Sequence, residues 1–244
     1  MICLDDVTVS AGKRTLVSNV GFRVQEGVVL GVYGPNGAGK STLLRAVAGV
    51  LPHPRSGIIE IDGVMISPRL DPAERCRKVL RLGSDFQSSF GVRVSELFEL
   101  ATRSGGRGDL VPEVLDRLEL RGFLARDFGS LSDGQKQWVM FGRALIQNPR
   151  VLVLDETFSK LDLDRLATAK DLIRQRVSAG GVVIVASHDL NRLARWSDRL
   201  LFLASGRKIA DGPVDEVFNS ENLKKMYPDS KLELNPQAPL SVRY

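Results

Sequence analysis

Cysteine is nearly absent from this 244-residue chain, which carries only Cys3 and Cys76. That count and spacing support neither a disulfide framework nor a zinc site, and both residues read as small buried or half-buried side chains. Aromatic residues are scarce, at 6%. The basic residues are scattered and have no aromatics interleaved among them. The net charge of +5 and the pI near 9.4 therefore describe a solvated surface, suited to an anionic membrane face, and nucleic acid is not expected as a partner. Apolar runs such as Val182-Val183-Ile184-Val185-Ala186 fall far short of the ~18 residues needed to span a bilayer. No basic-then-apolar signal region opens the chain, so a cytoplasmic location is expected. Internal repeats and low-complexity segments are also missing.

Against these absences stands one dense motif. The segment Gly34-Pro35-Asn36-Gly37-Ala38-Gly39-Lys40-Ser41-Thr42 follows the apolar run Val28–Tyr33 and precedes a helical pattern at Leu43, Leu44, Val47 and Ala48. Strand, glycine loop and helix in that order make a phosphate-binding loop. The glycines let backbone N–H groups turn inward around a polyphosphate, and the helix N-terminus adds positive partial charge. Lys40 is placed to neutralise the outer phosphates, and the Ser41 hydroxyl to ligate Mg²⁺. A nucleoside triphosphate is the expected ligand.

The remainder of the chain, 43% hydrophobic and 26% charged, has the length for one large domain or one domain with an inserted lobe. Residues 2–9 and 17–24 read as strands around the turn Ala11-Gly12-Lys13-Arg14, with another strand from Gly57 to Asp62. From about Pro72 to Leu124 the pattern is helical, broken by the loop 104–109. Helices near 134–147 and 163–178 then alternate with buried strands at 151–154 and 182–186, the pattern of a parallel sheet covered on both faces. Arg199 to Pro213 reads as a hairpin turning at Ser205-Gly206-Arg207. Residues from about 235 to 244 show no pattern and read as a loose tail. The fold class expected is α/β, a phosphate-loop NTPase core with a β-rich edge.

Two further segments carry chemistry. Val151-Leu152-Val153-Leu154 ends in Asp155-Glu156, and strand alternation points neighbouring acids in different directions. Beside a phosphate loop, Asp155 is suited to hold Mg²⁺ through water, and Glu156 to polarise an attacking water. Leu131-Ser132-Asp133-Gly134-Gln135 opens a helix. Ser132 there is either a plain helix cap or, with Gly134, a donor to a phosphate.

Taken in order, these segments resemble the nucleotide-binding subunit of an ABC (ATP-binding cassette) transporter over essentially the whole chain. The Walker A loop spans 34–42, a Q-loop candidate is Asp85-Phe86-Gln87, and the signature-like run is 131–135. The Walker B strand ends at Asp155 and Glu156, a D-loop-like Ser159-Lys160-Leu161-Asp162 follows, and Ala186-Ser187-His188-Asp189 holds a switch histidine. The resemblance implies one ABC ATPase domain over 1–234. Its nucleotide-binding core would be 1–84 and 150–234, and its inserted helical lobe 85–149. It implies ATP and Mg²⁺ as cofactors, with Gln87 sensing the metal or the water and His188 contacting the γ-phosphate. It also implies a head-to-tail homodimer in which Ser132, Gly134 and Gln135 of one copy face the Walker A loop of the other, and it places the D-loop Asp162 among the nucleotide-binding residues. Membrane-spanning permease subunits, and a substrate-binding protein in an importer, are the further partners implied, with the chain peripheral on the inner face of the membrane.

Some positions depart from the family's pattern. Ala11 stands where an aromatic residue usually stacks on adenine, which implies relaxed base contact. Asp133 replaces a glycine beside the polyanion, implying slower turnover through like-charge repulsion. Thr157-Phe158 replaces Pro-Thr, and Lys160 a small residue. Ser159-Lys160-Leu161-Asp162 also resembles the guanine-reading motif of GTPases, but it follows the carboxylate pair at once, which argues against that class. A soluble ABC ATPase of DNA repair or translation usually carries a coiled-coil insertion or a second cassette. The stretches Gly212–Phe218 and Glu221–Tyr227 look similar to the ends of ATPases that serve importers of iron-siderophore complexes, haem and cobalamin, with the ATPase of an exporter or of another importer as the alternative. His53, in Leu51-Pro52-His53-Pro54, reads as loop surface.

Overall fold

In the computed structural model, residues 1–51, 56–83, 91–159, 161–228, 233–235 and 238–243 are described. The chain opens with β1 (Ile2–Ala11) and β2 (Arg14–Val24), a hairpin turning at Gly12, whose φ of +58° suits a residue without Cβ. Next come β3 (Val29–Tyr33), α1 (Lys40–Val47), β4 (Ser56–Ile61), β5 (Val64–Met65), α2 (Pro72–Lys78) and β6 (Val79–Gly83). A helical stretch follows: α3 (Val94–Arg103), α4 (Val111–Arg117) and α5 (Asp133–Gln147). Then β7 (Val151–Asp155), α6 (Leu163–Ser178), β8 (Val182–Ala186), α7 (Leu190–Trp196), β9 (Arg199–Ala204) and β10 (Arg207–Pro213) return the chain to the sheet. It ends with α8 (Val214–Val217), α9 (Ser220–Met226), β11 (Glu233–Asn235) and β12 (Ala238–Arg243).

Two larger sheets organise these elements. The central one runs β10-β9-β3-β8-β7-β6, parallel from β9 to β6, with β10 antiparallel at one edge. A smaller antiparallel sheet, β2-β1-β4-β5, forms the edge subdomain. This is the expected α/β architecture.

The parallel strands are short and apolar because both of their faces are covered. Every residue of β3, β7 and β8 is buried. Alternation divides their side chains between two cores. Leu152, Leu154, Val183 and Val185 pack with α5, α6 and α7. Val151, Val153, Val182 and Ile184 pack with α1 and the small sheet. Each such side chain contributes about 1.5–3 kcal/mol of burial, so the sheet is a stiff partition. Its carboxyl edge is a fixed platform.

Two expectations are corrected. Within the span read as helical, 79–83 is a strand, pairing parallel with β7 from Val79↔Val151 to Gly83↔Asp155. Five residues interrupted by Arg81 are too short a run to show a period, and helical neighbours on both sides conceal it. Within the span read as a loose tail, Ala238–Arg243 is a strand that pairs antiparallel with Glu233–Asn235. The backbone bonds of that pair arise between segments too short to carry a pattern in the sequence.

Gly31 lies in the middle of β3, where an added Cβ would stand 2.5 Å from Ser197 Oγ and 2.8 Å from Leu200 Cδ2. Gly31→Ala is expected to destabilise the fold by about 1–3 kcal/mol through overpacking. A urea titration would show it as a lower midpoint at unchanged slope.

Candidate active site

The site begins where β3 stops and the chain wraps into α1. Gly34 permits the close approach, since a Cβ there would lie 2.1 Å from the Leu203 carbonyl oxygen. Gly37 and Gly39 take left-handed φ values of 78° and 95°, which favour glycine. Neighbouring strands clamp the loop: Gly206 N donates to the Ala38 carbonyl at 3.0 Å, and Ser18 N to the Gly206 carbonyl at 2.7 Å. The turn of the β9–β10 hairpin thus sits between the loop and β2.

Gly39 is the residue before α1 and supplies no side-chain cap, and the first turn holds no acid. Several other helices, though not α4 or α8, are capped by side chains, among them α2 by Asp71, α6 by Asp162, α7 by Asp189 and α9 by Asn219. The leading N–H groups of α1 therefore face the cleft with their positive partial charge uncompensated. Lys40 Nζ curls back onto the loop, donating to the carbonyls of Gly34 at 2.7 Å and Pro35 at 3.1 Å. Burial lowers the pKa of its ammonium from the ordinary value, and the carboxylates of Glu156 and Asp155 oppose that shift.

Across from Ser41 stands the end of β7. Ser41 Oγ donates to Asp155 Oδ1 at 3.2 Å. Asp155 is only 3% exposed, and Arg81 from β6 donates to its Oδ2 through Nη2 at 2.8 Å and Nε at 3.2 Å. Glu156, one residue on, turns into the left-handed region at φ 56°, a conformation that costs a non-glycine residue about 1–3 kcal/mol. Its N–H is held by the Ala186 carbonyl at 3.1 Å, and its Oε1 lies 2.7 Å from His188 Nε2. The bend after β7 and the end of β8 together bring Glu156 and His188 into contact.

Asn36 to Thr42, Glu156 and His188 line one cleft of 420 Å³, with Arg14 and Leu16 of β2 at its margin, and Asp155 adjoins it through its hydrogen bond with Ser41. Asp155 and Ser41 present two hard oxygens to each other, a donor pair that fits Mg²⁺. No cluster of three or more His, Cys, Asp or Glu that could hold a metal occurs among the described residues. An ion there would take its remaining ligands from phosphate and water.

Residues 132, 134, 135 and 162 do not line this cleft. Ser132 caps α5 in a reciprocal box: its Oγ accepts from Gln135 N at 3.3 Å, and its own N–H donates to Gln135 Oε1 at 3.0 Å. Asp133 lies in the first turn of α5, where a carboxylate favours the helix. Asp162 accepts from Arg165 N at 2.9 Å. Gln87, His53 and Lys160 lie outside the described residues. The Thr157-Phe158 departure has a packing reason. Phe158 is buried edge-on against Phe141, with ring centroids 5.1 Å apart, and Thr157 Oγ1 donates to the Leu82 carbonyl at 3.2 Å.

Sequence reasoning missed Arg81, Arg14 and Leu16. Arg81 was concealed because its strand was. Arg14 and Leu16 sit just past the Gly12 turn, and the close approach of β2 to Gly39, where an added Cβ would lie 2.8 Å from the Leu16 carbonyl oxygen, brings them to the cleft. Among the described residues, no helix is long and apolar enough to cross a membrane.

The chain is similar to known proteins over most of its length. The ABC transporter family matches residues 17–159. The hemin import ATP-binding protein HmuV of Chelativorans sp. is 33% identical over 238 residues, covering 93% of this chain and 91% of its own. HmuV of Bordetella avium is 37% identical over 239 residues, covering 91% and 90%. Among solved structures, a dimeric ATP-binding cassette in a post-hydrolysis state, bound to ADP and Pi, superimposes with a TM-score of 0.76 at 25% identity, covering 88% of this chain and 99% of that one. With its phosphate loop, carboxylate pair and histidine gathered at the carboxyl edge of one parallel sheet, the chain belongs to the ABC transporter family of ATP-binding subunits.

Proposed function

We propose that the chain hydrolyses ATP with Mg²⁺ to drive import of haem or a related iron complex through membrane-spanning permease subunits. One observation carries the catalytic part: the uncapped start of α1, Lys40, Ser41, Glu156 and His188 line one cleft, with Asp155 hydrogen-bonded to Ser41 beside it. The cargo follows from the relatives, which are named hemin import ATP-binding proteins.

In this reading Gly34 to Thr42 wrap the phosphates in backbone N–H groups, and Lys40 leaves its two carbonyl acceptors to neutralise the outer ones. Ser41 and Asp155 would hold Mg²⁺, which would supply charge neutralisation to the phosphates. Glu156 polarises the attacking water and takes its proton. His188, 2.7 Å away, keeps that carboxylate oriented and faces the terminal phosphate. Strain in the Glu156 backbone serves this placement, because an extended residue there would direct the carboxylate elsewhere.

In the same reading, the residues that stand away from the cleft act across a dimer of the family's kind. A second copy would contribute Ser132, Gly134, Gln135 and Asp162. The Ser132 hydroxyl, an acceptor in its capping box, keeps its own proton to donate to a phosphate. Gln87 would join the core, 1–84 and 150–234, to the helical lobe, 85–149. The solved cassette that superimposes on this chain is itself dimeric.

Glu156→Gln should bind ATP within about threefold of wild type while turnover falls at least about a hundredfold, and it should accumulate as an ATP-dependent dimer in size-exclusion chromatography. Unchanged hydrolysis would remove Glu156 from the role of base. Lys40→Ala should weaken ATP binding by about tenfold or more, read by fluorescent-nucleotide titration. Affinity purification from detergent-extracted membranes should bring down integral membrane subunits, and recovery of soluble partners alone would overturn the transport reading.

A further inference from the structure

Strand β7 ends at Asp155 beside the catalytic cleft, and its other end, Val151, adjoins a second cavity of 350 Å³ that shares no residue with that cleft. Arg107 and Leu110 approach it from ahead of α4, Leu172 and Arg176 from α6, and Leu145 and Asn148 from the end of α5. The Arg107 N–H donates to the Ile146 carbonyl at 2.8 Å, which ties the first of these walls to the last.

The charge of this cavity is unbalanced. Arg107, Arg150 and Arg176 line it against one acid, Glu113. Arg150 is neutralised from outside the cavity: Nη2 meets Glu26 at 2.6 Å and Nε meets Asp62 at 2.9 Å, while Nη1 donates to the Gly180 carbonyl at 2.7 Å. Arg107 forks onto Asp109 in an exposed pair that water screens. Arg176 differs from both. Its Nη1 donates to the side-chain carbonyl of Asn148, and among the described residues it makes no ion pair. Its Nε is shielded from water and has no hydrogen-bond partner. Burial, with the Arg150 charge nearby, pulls its pKa down to about 10. Asn148 offers only a dipole, and the last carbonyls of α6 add about half a unit of negative charge. A sheltered guanidinium is costly without a full counter-charge, so a negative group is what the cavity lacks.

Most of the remaining lining is apolar, including Leu110, Leu145 and Leu172, and the volume lies within the range of about 300–1,000 Å³ usual for small-molecule sites. A guanidinium takes a carboxylate in two parallel bonds. One negative charge suits the site better than two, because Glu113, paired only loosely with Arg117 at 3.9 Å, opposes a second. We propose that this cavity binds a small organic monocarboxylate, its head on Arg176 and its hydrocarbon body against Leu110, Leu145 and Leu172. Arg107 closes over the head by exchanging one exposed carboxylate for another, at little cost. The site is separate from the nucleotide cleft, and its test needs no nucleotide.

Equilibrium dialysis of the full chain against radiolabelled octanoate, below its micellar concentration and without nucleotide, should show saturable binding of about one molecule per chain. Acetate, which has the head without the body, should compete at least about a hundredfold more weakly than unlabelled octanoate, and octanol, which has the body without the head, about tenfold more weakly. Arg176→Met should weaken octanoate binding about tenfold or more, and Arg107→Ala about threefold. Arg103→Ala removes an equal charge from an exposed position on α3 outside the cavity, and it should leave binding unchanged. The proposal is overturned by the absence of saturable binding, by wild-type affinity in Arg176→Met, or by an equal loss in Arg103→Ala, which would reduce the effect to surface charge. Competition by acetate as strong as that by octanoate would remove the apolar body from the site and overturn it too. If Arg176→Met fails to fold, Arg176→Lys decides: an ammonium in place of the fork should weaken binding about threefold, and unchanged affinity refutes the site.

Discussion

A carboxylate buried at the end of a fully buried strand needs positive charge around it, and the carboxyl edge of this sheet is arranged to supply that charge. Asp155, 3% exposed, lies between the Arg81 guanidinium and the Ser41 hydroxyl, with the Lys40 ammonium near enough to feel its field. In a low-dielectric setting an unpaired charge is costly, so this compensation is a condition of folding as well as of function. The guanidinium supplies it permanently. On the other side, the uncapped start of α1 adds partial positive charge that a phosphate can use.

The platform for this arrangement is the divided packing of the parallel strands. Side chains of β7 and β8 alternate between the two cores, which fixes the orientation of each strand end. Asp155 then points at Ser41, while the next residue must leave the strand direction. Glu156 does so by adopting φ 56°, tied through its N–H to Ala186 at 3.1 Å and through its carboxylate to His188. Local strain is tolerated there because neighbouring strands over-determine the position. Phe158, packed on Phe141 and Trp196, anchors the chain immediately afterwards.

Much of this was legible in the residues. The phosphate loop, the carboxylate pair, the β9–β10 turn at Ser205-Gly206 and the helix opening at Ser132 all carry local chemical signatures: glycines at left-handed positions, an apolar run ending in acids, a capping serine. Arg81 was not legible, because a five-residue edge strand beside a helix shows no period of its own. Nor were Arg14 and Leu16, which a hairpin carries to the cleft from a stretch with no phosphate chemistry. Ser132 was legible as a cap residue and as a family motif position, Asp162 as a motif position only, and within one chain their observed contacts are caps.

By itself, then, the sequence determined the class of ligand and the order of strand, loop and helix that binds it. Those properties depend on backbone conformation over a few adjacent residues, where glycine, serine and lysine act locally. The tertiary structure alone decided which charge faces which. Arg81 and Asp155 are 74 residues apart and Ser41 and Asp155 are 114 apart, so their meeting depends on strand order and register. Those are set by burial summed over the whole sheet, and no local pattern contains that sum.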